Sequence, residues 1–145
     1  MRNHLVVATL ILCLCQPVLA QDRRPQMDES GKGAVLCIWS IYVALHQGVE
    51  LCELEVRDSD RAIASDIARI EAFILEHTTE GINQATLDDY KARVFEQTQT
   101  HTSPEQMPNM CKDVAMMRDA LGSDIAGRTD DLLSVPREPL WNPCI

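Results

Sequence analysis

The sequence predicts an all-α protein: a bundle of four to five helices, stapled by two disulfides and closed by an extended C-terminal tail. Three observations carry that prediction. Apolar residues recur at steps of three and four along most of the chain, strand-like alternation of useful length is absent, and four cysteines remain once an N-terminal export signal is set aside.

The chain opens MRNHLVVATLILCLCQPVLA. Arg2 and His4 precede an apolar stretch from Leu5 to Cys15, and Val18 and Ala20 suit signal peptidase, so residues 1–20 read as a secretory signal peptide. The apolar stretch is too short for a bilayer-spanning helix, which takes about 20 residues. Cys13 and Cys15 each follow a leucine, where a lipid-attachment signal wants a small residue, so both are read as leaving with the signal. Removing the first 20 of 145 residues leaves 125, a length suited to one core. Export implies the periplasm if the source is bacterial and the extracellular space otherwise.

Residues 21–32, QDRRPQMDESGK, are polar and read as a flexible leader, with a single helical domain over 33–145. A first long helix is expected from Ala34 to Val56, where Val35, Ile38, Trp39, Tyr42, Leu45, Val49, Cys52 and Val56 recur at helical steps. Its first half is apolar all round, which marks a central, buried helix. A second helix, capped by Asp58 or Ser59, carries Ile63, Ile67, Ile70 and Ile74 in one stripe and fades toward Gly81. Thr86 with Asp89 resembles a capping box for a third, which carries Leu87, Tyr90, Val94 and Phe95 and ends around Thr98 to Thr100. Ser103 and Pro104 open a turn. Asn109 is expected to cap a fourth helix through Cys111, Val114, Met117 and Leu121, stopped by Gly122; a short fifth follows Ser123. Prolines 136, 139 and 143 force the tail to run extended.

The mature cysteines are Cys37, Cys52, Cys111 and Cys144, an even set in an exported chain and therefore a two-disulfide framework. A continuous helix separates Cys37 from Cys52 by about 22 Å, whereas bonded Cα atoms lie within about 7 Å, so these two cannot pair. An up-and-down bundle brings Cys52 at the top of the first helix to Cys111 at the start of the fourth. The extended tail then returns Cys144 to Cys37 at the bottom. No CxxC or HxxxH spacing supports a zinc site, and no cofactor or metal is expected.

With 22 Asp and Glu against 13 Lys and Arg, the chain carries a net charge of −9. That disfavours nucleic acid as a partner, which requires a cationic footprint, and disfavours an anionic membrane surface. Missing too are a GxSxG elbow, a glycine-rich phosphate loop and a free mature thiol, so no enzymatic activity is expected. His46 and Glu50 stand one helical turn apart and Glu53 follows, so a shared helix face makes these three the candidate binding surface. Ser40, Ala44, Gly48 and Cys52 form a line of small side chains along the first helix, read as a close-packing stripe with a ligand groove as the sharper alternative. Met107, Met110, Met116 and Met117 gather around the fourth helix and are read as core filler.

The segment C-IWSIYVALHQGVEL-C, followed by a helix ending in AFILEHTTE, resembles the Tai-type immunity proteins of type VI secretion systems. Those carry a cysteine-bounded first helix with a glycine, matched by Gly48, and a second helix ending in a Leu and His-Pro pattern, where this chain has Thr78. The likeness covers about residues 36–80. It implies a periplasmic, helical, often dimeric protein that binds and neutralises a toxin. The leading expectation is accordingly a non-catalytic protein-binding module of inhibitor or immunity type, with a homodimer among its states and no stable membrane insertion. The alternatives are a small-molecule or lipid carrier and a stress-protective periplasmic chaperone.

Overall fold

The computed structural model describes residues 26–79 and 81–144. Its described residues form five helices and no strand: α1 (Val35–Leu51), α2 (Asp58–His77), α3 (Gln84–His101), α4 (Met107–Leu121) and α5 (Ile125–Leu133). The expected signal peptide, with Cys13 and Cys15, lies outside them.

Helix α1 is the axis of the bundle, packing against α2, α3 and α4, while α5 packs on α2. The apolar-all-round pattern dictates this placement, since Val35, Leu36, Trp39, Tyr42, Val43, Leu45 and Val49 are all buried. The isoleucine stripe of α2 faces it, with Ile63, Ile70 and Ile74 each at most 1% exposed, and Leu87, Ile125 and Leu132 complete the core. Both disulfides form as the helix geometry requires: Cys52 with Cys111, Cα atoms 5.5 Å apart, and Cys37 with Cys144, 5.4 Å apart.

Helix ends differ from the sequence reading. Helix α1 stops at Leu51 rather than Val56, because the chain turns in a Schellman arrangement: Glu53 adopts φ 48°, its N–H donates to Glu50 O, and Leu54 N–H donates to Val49 O. Arg57, not Asp58 or Ser59, is the N-cap of α2, and the Asp60 carboxylate reaches back to accept its N–H at 2.7 Å. Asn83 rather than Thr86 caps α3; its side chain accepts Thr86 N–H at 3.1 Å, making Thr86 the third helical residue. Helix α4 begins at Met107, so Asn109 lies inside its first turn beside Pro108, whose missing N–H would have had no acceptor there. Gly122, at φ 72°, ends α4 as expected.

The leader expected over 21–32 is described only from Gln26 onward, and this part is tied down. Met27 makes a parallel backbone bridge with Asn142, and Asp28 N–H donates to Asn142 O at 2.6 Å. Arg137 in the tail donates through Nε to Asp28 at 2.7 Å and through Nη2 to Gly33 O at 2.7 Å. Its Nη1 reaches the carbonyls of Leu132 and Val135 at 2.8 and 2.9 Å. The tail in turn completes α1, because the free N–H of Leu36 in the first turn donates to Leu140 O at 3.0 Å. Leader and tail thus form one strap across the start of α1.

Candidate functional site

Of the three residues singled out in sequence, His46 and Glu50 lie one turn apart on α1, whereas Glu53 has left the helix. Glu50 is exposed on α1, Glu53 stands beyond its end in the left-handed conformation, and His46 borders a shallow pocket with Val43, Ala64, Ile67 and Lys91. Among the described residues, no group of three His, Cys, Asp or Glu is arranged to hold a metal ion. No described helix is long and apolar enough to cross a membrane.

The small-residue line is a packing surface at Gly48, while Ala44 is exposed. A Cβ at Gly48 would lie 2.8 Å from Cγ2 of Val114, so the missing side chain is what lets α4 approach α1. Beside this contact runs a groove of about 200 Å³ that Met110 and Met117 help to line. The methionines are not core filler: Met116 and Met117 are 54% and 46% exposed, and Met107 and Met110 are half-buried. Helix α4 packs on the core through the partly buried Val114 and Leu121 and leaves Met116 and Met117 at the surface.

A second concentration of polar groups joins α1, α2 and α3. Buried Glu71 accepts from Trp39 Nε1 at 3.1 Å and pairs with Lys91 Nζ at 2.9 Å, while the same ammonium reaches Asp88 at 2.9 Å. Burial pushes the Lys91 pKa down, but the hydrogen bonds to Asp88 and Glu71 outweigh it and hold the value above the usual lysine range. This network is fully partnered and fixes α3 against the core. Above it, Trp39 packs on Tyr90 with ring centroids 4.9 Å apart, and Tyr90 packs on Trp141 of the tail at 5.8 Å.

Trp141 is the outermost of the three rings and is 45% exposed. Two other large apolar residues of the strap are also open, Met27 at 53% and Val135 at 40%; both border a shallow cavity with Leu140. Glu29 and Glu138 border the same shallow cavity, and Asp88, paired with Lys91, and Asp89 precede Tyr90 on α3. The sequence carries one signal for it, a lone tryptophan within a proline-rich tail, since an extended segment cannot bury a side chain by its own periodicity.

A larger cleft, of about 590 Å³, opens between the first half of α1 and the corner where α4 meets α5. Its walls are Ile38, Ile41 and Tyr42 of α1 with Leu121 and Leu132; charged residues of the leader and α5 stand at its mouth. It is separate from the smaller groove that Ala44 and Gly48 of the small-residue line help to form. Comparison with known proteins finds no matching family model, no matching curated relative and no matching solved structure, so the geometry itself must carry the functional reading.

Proposed function

We propose that this chain is an exported, non-catalytic protein-binding module of inhibitor or immunity type, engaging a basic protein partner through the strap ridge centred on Trp141. One observation carries the reading: a tryptophan left nearly half exposed yet held in place by a stack of rings and a doubly tethered tail. Ordering a large aromatic side chain in advance lowers the entropic cost of binding, and tryptophan dominates interface hot spots. The partner's chemistry follows from charge. A net charge of −9 and the carboxylates of Glu29 and Glu138 favour a cationic surface with an apolar recess for the indole. Support for export comes from the N-terminal sequence and from two disulfides, which persist in oxidising compartments.

The test is capture of a stoichiometric partner from the native extracytoplasmic fraction, compared between wild type and Trp141→Ala. The expected result is a basic protein held by the wild type, bound faster at low salt, and weakened at least 30-fold by Trp141→Ala, about the 2 kcal/mol of a hot spot. Helix content and melting of the variant should match wild type within a degree or two. An acidic partner, or one indifferent to Trp141→Ala, overturns the proposal. So does a ridge buried only by a second copy, seen as a dimer in sedimentation that Trp141→Ala dissolves.

A further inference from the structure

The cleft between α1 and the α4–α5 corner carries a second, independent site. The geometry points to a binding site for a small, uncharged apolar molecule bearing a single oxygen that hydrogen-bonds to Tyr42. Three features argue it. Its volume, about 590 Å³, falls within the range of small-molecule pockets, and its walls of Ile38, Ile41, Leu121 and Leu132 are aliphatic. At the wall stands Tyr42, whose ring is buried and whose hydroxyl makes no hydrogen bond to any described residue yet stays open to solvent. A hydroxyl so placed is one of the few polar groups with which such a pocket can orient a ligand, and it has no protein partner to give up. A ligand oxygen in the cleft would supply a partner.

The mouth selects the ligand's charge. Lys32 is already committed to Asp131, Nζ to Oδ1 2.5 Å, and the other two charged residues there, Arg128 and Asp124, are of opposite sign. Two cations and two anions sum to zero, so the mouth draws neither sign of head group from a distance. The Asp124 carboxylate is tucked against α5, in space that a Cβ at Gly127 would invade at 2.5 Å. A neutral alcohol, ketone or ester with a compact hydrocarbon body fits both the aliphatic walls and the phenol.

The full mature chain can be titrated with the uncharged fluorophore N-phenyl-1-naphthylamine, then challenged with 1-octanol, octanoate and octylammonium. Expected are enhanced probe fluorescence and displacement by octanol at a concentration at least several-fold below either ion. Tyr42→Phe keeps the ring and its packing; it should weaken octanol about three- to tenfold, the effect of one hydrogen bond, while changing probe affinity less than twofold. Ile41→Trp should fill the cleft and abolish probe binding with helix content intact. If that variant does not fold, Tyr42→Phe decides alone. No fluorescence enhancement by the wild type, octanol binding unchanged in Tyr42→Phe, or a tenfold preference for either ion each overturns the assignment. Because Trp141 lies outside the cleft, Trp141→Ala should leave probe binding intact, which separates this site from the ridge.

Discussion

Asp60 serves two helices at once. One oxygen accepts the Arg57 N–H that would otherwise be free at the start of α2, and the same oxygen pairs with Arg118 of α4 at 3.1 Å. Both side chains are at most 5% exposed, and Arg118 also donates to the carbonyl of Glu55 at 2.9 Å. Burying such a pair brings little net stability, but removing one partner leaves a charge stranded in low dielectric. Arg118→Leu should therefore cost about 3 kcal/mol in urea unfolding, whereas Arg57→Ala, which removes an exposed pair with Asp119, should cost less than about 1 kcal/mol. A loss for Arg118→Leu no larger than that for Arg57→Ala would show that the buried pair is not a joint between α2 and α4. None of this was legible in sequence. Nothing in the sequence sets Asp60, Asp66, Glu71 and Arg118 apart from ordinary surface charges, since only the packing of a neighbouring element buries them.

Whole helices were far more legible than their ends. The stripe of Ile63, Ile67, Ile70 and Ile74 places α2 from sequence because burial of a 3.6-residue period leaves no other solution. Where a helix stops depends on groups that are distant in sequence. The first turn of α1 is completed by Leu140 O, and α1 ends at a left-handed residue that is glutamate, so no glycine announced it. Two substitutions near this end should act in opposite directions. Glu53→Gly relieves a left-handed conformation that costs a side chain about 1 kcal/mol, partly offset by the added freedom of the unfolded chain, for a net gain of about 0.5 kcal/mol. Gly48→Ala improves helix propensity by about 1 kcal/mol, yet its Cβ would press on Val114 at 2.8 Å. Overpacking of that kind costs about 1–3 kcal/mol, so a net loss of about 1 kcal/mol is expected. Val114→Ala in the Gly48→Ala background should recover most of it. Additive losses in that double variant would mean the α1–α4 contact is not the reason for the glycine.

At the scale of the molecule, the strap converts five helices into a closed loop of contacts. The pairing of Cys37 with Cys144 was legible, since a helix of known rise forbids the nearer partner and an extended tail can reach the farther one. The leader's part was not, because a short polar segment carries no period. What holds it is Asp28, whose side chain is 1% exposed against Arg137. Burial pushes the Asp28 pKa up, but hydrogen bonds from Arg137 and Ser30 together outweigh this and leave it below the ordinary 3.8. A carboxylate depressed in the fold contributes stability that is fully present above its unfolded pKa and is lost as pH falls through its folded one. Acid should thus release the strap first below about pH 4, while neutral and mildly alkaline pH leave it closed. Asp28→Asn retains the shape but not the charge. It should lower stability at pH 7 by about 2 kcal/mol, because Arg137 keeps three carbonyl partners. Between about pH 5 and pH 2.5 its urea midpoint should fall less than that of the wild type, since the titrating group is gone. The Cys37–Cys144 disulfide keeps the tail attached throughout, so the difference between the two curves reports the leader alone. Parallel curves for wild type and variant would remove Asp28 as the source of the acid sensitivity.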